Sequence, residues 1–148
     1  MTVFIGNDHG GIELKNAVVK MLTEKGYKVC NLGTDENGSV DYPDYGFAVA
    51  EKVVSDEDNR GIVICKSGVG MSMCANKVKG ARCALCFNAE MGRLCREHNN
   101  ANMLALGAGN TDIETALGIV DAFMSTEFAG GRHALRVDKI TAYEANNG

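Results

Sequence analysis

One cysteine in this sequence stands where a predicted strand turns into a predicted helix. The apolar residues 61–65 predict a short strand that ends at Cys65, and the turn Ser67-Gly68-Val69-Gly70 leads into a run with helical spacing. A helix start presents unpaired backbone N–H groups and the positive end of the helix dipole, which favour a thiolate. Such a thiol can move a proton near neutral pH, beside amides that stabilise an oxyanion. The alternative is a small buried cysteine that ends a core strand.

A second polar pair, Asp8 and His9, follows the first predicted strand in a glycine-rich loop. A helix is predicted to begin directly after it, so a phosphate bound there would meet backbone amides and the imidazole of His9. The alternative is a turn in which Asp8 caps the helix. We favour the functional interpretation, because ligands of parallel sheets bind at the carboxyl ends of the strands.

Two further polar segments lie away from these strand ends. The cluster His98–Asn102 precedes a predicted strand, so it should lie at the opposite edge of the sheet and reach Cys65 only from a second subunit. Isolated asparagine-rich loops are also common as turns. Near the C-terminus, Arg132 and Arg136 share one helical face, where two guanidinium groups suit a phosphate or form a solvated cationic face.

Several known signatures do not fit the Cys65 corner. A Walker loop requires glycine where Cys65 stands before Lys66 and Ser67, and a dinucleotide fingerprint requires a third glycine near Met73. A low-molecular-weight tyrosine phosphatase would need arginine at Met71. These mismatches favour Cys65 as a proton carrier over Cys65 as a nucleophile that attacks phosphate.

The elements that must position these residues alternate between strand and helix. Apolar patterns predict strands at residues 3–6, 27–32, 61–65, 82–87 and 103–106. The first predicted helix covers residues 13–25 and ends before Gly26, the second runs from a cap at Asp44 to Val53, and the third follows Gly70. The fourth runs from a cap at Asn88 to Glu97, and the fifth runs from a capping box at Thr111–Glu114 to Phe123. A last short helix is predicted in the tail 130–148. Such βα units give right-handed crossovers and a mostly parallel sheet. The predicted fold is one α/β domain over residues 1–148, a three-layer sandwich around a five-stranded Rossmann-like or flavodoxin-like sheet.

Composition excludes several classes of protein. The 148 residues are 45% apolar, enough for one core, and a net charge of −4 without a basic block argues against a nucleic-acid partner. No apolar run is long enough to span a membrane, so we expect a cytoplasmic protein. The six cysteines lie in apolar segments, which favours reduced thiols. Cys83 and Cys86 should point to opposite faces of a strand and make a poor metal pair.

The motifs together resemble the ribose-5-phosphate isomerase B family, a sister of the galactose-6-phosphate isomerases. The resemblance covers nearly the whole chain, in order. It rests on Asn7-Asp8-His9-Gly10-Gly11, Asp41-Tyr42-Pro43, Ile64-Cys65-x-Ser67-Gly68-Val69-Gly70-x-Ser72, Ala75-Asn76-Lys77, Arg96-Glu97-His98-Asn99 and Gly130-Gly131-Arg132-His133, where x marks a position outside the pattern.

The resemblance implies an aldose–ketose isomerase that uses no metal or cofactor and works through a cis-enediolate. It also implies a homodimer, or a tetramer of two dimers, whose active sites are shared between subunits, with the tail packed on the partner. By position, Cys65 would be the base, Asp8 and His98 would assist ring opening, and Ser67 with the amides of Gly68, Val69 and Gly70 would hold the oxyanion. Tyr42 and Asn99 would position the sugar, and His9, Arg132 and Arg136 would hold the phosphate.

Two positions depart from the family pattern. Many members have glycine where this chain has Lys66, and many have an arginine shortly after the fifth strand, where residues 106–110 contain none. Either Lys66 replaces that cation or the substrate differs from ribose 5-phosphate. We expect interconversion of D-ribose 5-phosphate and D-ribulose 5-phosphate in the pentose phosphate pathway. The alternatives are an isomerase of a six-carbon aldose or its 6-phosphate, such as allose or galactose, and a non-catalytic sugar-phosphate-binding module.

Overall fold

The computed structural model describes residues 1–147, which form five strands and six α-helices. Gly148, the last residue of the predicted tail, lies outside the described residues. The strands are β1 (Val3–Asn7), β2 (Val29–Asn31), β3 (Arg60–Cys65), β4 (Cys83–Leu85) and β5 (Met103–Gly107). The helices are α1 (Ile12–Glu24), α2 (Tyr42–Val53), α3 (Val69–Ala75), α4 (Ala89–Glu97), α5 (Ile113–Ser125) and α6 (Arg132–Asn147). A short 3-10 turn, His9–Gly11, precedes α1.

The strands form one parallel sheet in the order β2-β1-β3-β5-β4. Helices α1, α4 and α5 cover one face, around a core that includes Leu14, Ile64 and Phe123. Helices α2 and α3 cover the other, around Val49 and Met71. The predicted three-layer α/β sandwich is confirmed. In the flavodoxin order 2-1-3-4-5 the fourth strand follows the third, whereas here β5 lies beside β3, so the loop after β5 borders the Cys65 corner.

Several predicted boundaries were wrong. Strands β2 and β4 are each three residues long, shorter than predicted, because only the central residues of these edge strands pair with a neighbour. Helix α2 begins at Tyr42, with Pro43 in its first turn, where a missing N–H costs nothing, so Asp44 is not its cap. In α5, Asp112 accepts from the amide of Thr115, and Thr111 is not the cap.

The C-terminal helix was predicted to be short, but α6 has 16 residues. Val137 is its one buried residue, while Leu135, Ile140 and Tyr143 are 68%, 51% and 69% exposed. An amphipathic helix is normally stabilised by burying its apolar face, and α6 leaves much of that face uncovered. Within residues 1–147, no helix is long and apolar enough to cross a bilayer.

Candidate active site

The Cys65 thiol lies at the carboxyl end of the central strand β3 and is 5% exposed. The amide of Gly68 donates a hydrogen bond to its Sγ atom at 3.2 Å. Gly68 has a φ of +78°, and a Cβ atom there would lie 2.6 Å from Leu85 Cδ1, so this position requires glycine. The turn thus aims a backbone donor at the sulfur, where it stabilises negative charge.

The loop after β5 braces this corner from the side. The amide of Ala108 donates to the carbonyl of Cys65 at 2.9 Å, and that of Gly109 donates to the carbonyl of Lys66 at 2.8 Å. Asn110 Nδ2 donates to the carbonyl of Ser67 at 3.3 Å. These bonds hold three consecutive residues around the thiol in one conformation.

The other thiols have different surroundings. All six cysteines are free, and burial raises the pKa values of Cys74 and Cys83. Cys83 packs against the core beneath α2 and α3, whereas Cys86 belongs to the core beneath α1, α4 and α5. The prediction that this pair points to opposite faces of the sheet is therefore confirmed.

Cys65 opens onto a shallow cleft of about 370 Å³. The cleft brings together seven predicted site residues and one that was not predicted, namely Asp8, Tyr42, Cys65, Lys66, Ser67, Val69, Gly70 and Met73. Cys65 ends a core strand, as the structural interpretation expected, and also lines this cleft, while its role as a base stays a prediction. The aromatic ring of Tyr42 packs over Gly70, where a Cβ atom would lie 2.5 Å from the ring.

Asp8 both caps the 3-10 turn and lines the cleft. Its Oδ1 atom accepts from the amide of Gly10 at 2.9 Å and caps the 3-10 turn, as the alternative interpretation expected. The side chain is 8% exposed and still lines the cleft. One carboxylate oxygen is thereby fixed by the backbone, which orients the whole group toward the cleft.

Two further predicted phosphate-binding residues are His9, which follows the cleft residue Asp8 in the chain, and Lys66, which lines the cleft. His9 is exposed, and its Nδ1 atom accepts from the amide of Val40 at 3.1 Å. A neutral imidazole that accepts at Nδ1 carries its proton on Nε2, which leaves Nε2 as the donor. The side chain of Lys66 runs across Gly109, where a Cβ atom would lie 2.9 Å from Lys66 Cγ. The side chain of Lys66, from the turn after β3, therefore lies beside the loop after β5 that lacks the expected arginine.

The predicted oxyanion donors are not equivalent. The amide of Gly68 donates to the thiol, and the amide of Val69 donates to Ser67 Oγ at 3.2 Å. Within residues 1–147, the amide of Gly70 has no acceptor. Of the three predicted amides, that of Gly70 is the one left to meet a ligand.

Of the six predicted site residues that do not line the cleft, His9 and Gly68 adjoin its lining residues in the chain, and the other four lie away from it. His98 ends α4 and stacks on His133 of α6, with ring centroids 4.2 Å apart and an interplanar angle of 13°. Arg132 and Arg136 lie in the first turns of α6, one helical turn apart, and both are exposed. Asn99 lines a mainly apolar groove of about 470 Å³ with Ile140 and Tyr143. One subunit does not bring this group to Cys65.

Sequence reasoning gave no role to Arg96, which is 4% exposed. Its guanidinium donates to Asn100 Oδ1 at 3.0 Å, to the carbonyl of Ala101 at 2.6 Å and to the carbonyl of Thr126 at 3.2 Å. Burial lowers its pKa to about 10. Arg96 thus ties the His98 loop to the segment that leads into α6. The available signal was a cation next to Cys95 on the core-facing side of the predicted helix.

The comparisons with known proteins agree with this geometry. A family model described as ribose/galactose isomerase matches residues 3–140. Ribose-5-phosphate isomerase B of Escherichia coli is 42% identical over 142 residues, which cover 96% of this chain and 95% of that protein.

Two solved structures extend the match to three dimensions. Ribose-5-phosphate isomerase B of Clostridium thermocellum is 51% identical, with a TM-score of 0.96 over 100% of both chains. The enzyme of Mycoplasma genitalium, solved with bound ribulose-5-phosphate, is 41% identical, with a TM-score of 0.96 over 99% of this chain and 97% of that chain. The predicted fold and the predicted isomerase family are confirmed: this chain belongs to the ribose/galactose isomerase family.

Proposed function

We propose that this protein interconverts D-ribose 5-phosphate and D-ribulose 5-phosphate through a cis-enediolate, with Cys65 as the base. The observation that carries the proposal is the thiol itself, which accepts a hydrogen bond from the Gly68 amide and opens onto a cleft lined by Asp8, Ser67 and Tyr42. The family membership and the names of the relatives support the same reaction.

The chemistry needs one base that serves two carbons. The thiolate of Cys65 removes the proton from C2 of the open-chain aldose, and the enediolate forms while the carbonyl oxygen at C1 gains negative charge. The amide of Gly70 and the hydroxyl of Ser67 stabilise that oxygen. The proton of the C2 hydroxyl passes to the oxygen on C1, and the same thiol returns its own proton to C1, which gives the ketose with its carbonyl at C2. Asp8 and His98 move protons on the sugar oxygens during ring opening.

The phosphate requires cationic and N–H donors at the far end of the substrate. His9 presents its Nε2–H group as a donor. The side chain of Lys66 lies across Gly109 in the loop after β5. Arg132 and Arg136 supply guanidinium groups that bind phosphate oxygens in pairs. Lys66 replaces the cation that this loop lacks.

These groups meet only if two copies of the chain assemble. Cys65 lies at the carboxyl edge of the sheet, whereas His98, Asn99 and the two arginines lie with α4 and α6 at the other edge. The uncovered apolar side chains of α6 and the groove beside Tyr143 offer a surface for the second copy. We therefore propose a homodimer with two shared active sites, each taking Cys65 from one subunit and His98 from the other.

The reaction belongs to the non-oxidative pentose phosphate pathway, and we place the protein in the cytoplasm. Six free thiols, none in a disulfide among the described residues, fit a reducing compartment. We propose that residues 1–148 belong to one sugar-phosphate isomerase domain.

The test is isotope exchange followed by NMR, with ribose 5-phosphate in deuterated water. The wild type should place deuterium at C2 of recovered ribose 5-phosphate and at C1 of ribulose 5-phosphate, whereas Cys65→Ala should place none. Exchange with allose 6-phosphate or galactose 6-phosphate but not with ribose 5-phosphate would assign a six-carbon substrate. Binding of ribose 5-phosphate without any exchange would leave a sugar-phosphate-binding module.

A further inference from the structure

Lys15 is a buried charge that the proposed reaction does not use. It lies on α1 and is 0% exposed, although lysine is among the residues least often fully buried. Its Nζ atom donates to the carbonyl of Thr34 at 3.4 Å and forms an ion pair with Asp35, whose side chain is 72% exposed. Burying an ammonium group is costly unless it is paired, so these two partners fix where Lys15 must point.

The carbonyl of Thr34 is shared with a second buried polar side chain. Asn7, at the end of β1, is 0% exposed, and its Nδ2 atom donates to the carbonyl of Thr34 at 3.0 Å and to that of Asp8 at 2.8 Å. The amide of Thr34 donates back to the carbonyl of Asn7 at 3.4 Å. Lys15 and Asn7 together hold Thr34 against the strand end that carries Asp8 and His9.

The same segment reaches His9 at its other end. Residues 32–41 connect β2 to α2, and Val40 donates its amide to Nδ1 of His9 at 3.1 Å. This bond selects the tautomer in which Nε2 carries the proton. The segment is therefore tied at Thr34 to a buried charge and at Val40 to the histidine ring.

We infer that Lys15 is a positioning residue for the phosphate site, acting through residues 34–40 on the tautomer and orientation of His9. The inference rests on the proposed function, in which His9 Nε2 donates to the substrate phosphate. Among residues 1–147, the ammonium of Lys15 forms no hydrogen bond with a cleft residue, so it should affect binding of the phosphate and not the proton transfer at Cys65.

The test compares Lys15→Met with Lys20→Met, an exposed lysine on the same helix. We measure kcat and KM for ribose 5-phosphate, kcat/KM for D-ribose, and the ring ¹⁵N shifts of His9, assigned with His9→Gln. For Lys15→Met we expect KM for ribose 5-phosphate to rise about 5- to 20-fold with kcat within about twofold, the pattern of lost uniform binding. D-ribose turnover should not change, and the ring shifts should move from a single Nε2–H tautomer toward a mixture. Lys20→Met should match the wild type.

Equal losses with ribose 5-phosphate and D-ribose, or an unchanged His9 tautomer, would overturn the inference and make Lys15 a purely structural residue. If Lys15→Met does not fold, Asp35→Asn decides, because it removes the exposed partner of the buried ammonium. A rise in KM alone supports the inference, and an unchanged KM overturns it. These results can be told apart from a failure of the proposed function. If the proposed function is wrong, the wild type does not turn over ribose 5-phosphate, or His9→Gln leaves KM unchanged. In either case the ring shifts still show whether Lys15 controls the tautomer of His9.

Discussion

The two edges of the sheet differ in what they hold. At the carboxyl edge, Cys65 is buried, hydrogen-bonded by Gly68 and braced by the loop after β5. At the other edge, His98 and His133 stack in partial contact with solvent, beside two exposed arginines. One edge offers the thiol proposed as the base, with few cations, and the other offers two guanidinium groups and two imidazoles but lacks that thiol. The difference teaches that neither edge is a complete site, which is why we propose that two copies combine them.

Of the changes that test the two edges, removal of the proposed base should lower turnover the most. Cys65→Ala should lower kcat by about 10²- to 10⁴-fold, because general acid–base catalysis contributes about that much. Cys30→Ala, at a half-buried thiol on edge strand β2, is the matched control and should retain activity. Steady-state kinetics with ribose 5-phosphate measures both. A Cys65→Ala enzyme with near wild-type kcat would remove the thiol from the mechanism.

Separating the two edges should have the next largest effect. Ile140→Asp places a charge on the 51% exposed apolar face of α6, so the chain should still fold but should dissociate into monomers. The kcat should fall about 10²-fold, because the monomer lacks the second edge. Sedimentation velocity and kinetics at one protein concentration test this, with Ile140→Leu as the control. A fully active monomer would show that one edge is sufficient.

A smaller effect is expected at Lys66, which lines the cleft at the carboxyl edge and which we propose to bind the substrate phosphate. Lys66→Met should raise KM for ribose 5-phosphate about 10-fold with little change in kcat, because one charged hydrogen bond is lost at an exposed site. The kinetics of Lys77→Met, a lysine outside the cleft, provide the control. An unchanged KM in Lys66→Met would mean that this lysine does not replace the missing cation.

The smallest effect concerns the stacked histidines. Partial removal from water, followed by the nearby His98, Arg132 and Arg136, lowers the pKa of His133 below 6.5. The unfolded chain therefore binds more protons in this pH window, so stability should decline as the pH falls from 6.5 through the lower value of the folded state. An NMR titration should show the low pKa in the wild type and a higher one in His98→Gln. Equal values in the two proteins would contradict the electrostatic account of this edge.

The sequence predicted the carboxyl edge well because its signals are local. A strand, a glycine turn and a helix follow one another within residues 60–75, and that order alone places Cys65, Ser67 and Gly70 together. Strand order and the length of the last helix depend on contacts between distant parts of the chain, so local patterns did not predict them. Nothing local states that β5 inserts beside β3 or that α6 continues for 16 residues with an uncovered face.

The sequence also did not predict which polar side chains are buried. Lys15 lies on the flank of the apolar stripe Leu14, Val18 and Leu22, and lysine in such a position usually extends to water. Its burial depends on Thr34 and Asp35, which come from a different part of the chain. Sequence spacing showed that Lys15 was close to the core side but could not show its partners.

In the dimer that we propose, one active site takes Cys65 from one subunit and His98 from the other. The most direct test mixes Cys65→Ala with His98→Asn, each nearly inactive alone, by joint unfolding and refolding. A twofold dimer formed at random has one intact site in half of the molecules, so the mixture should recover about a quarter of wild-type activity. Activity no higher than the average of the two parents, with the mixed dimer present by native mass spectrometry, would contradict the shared site.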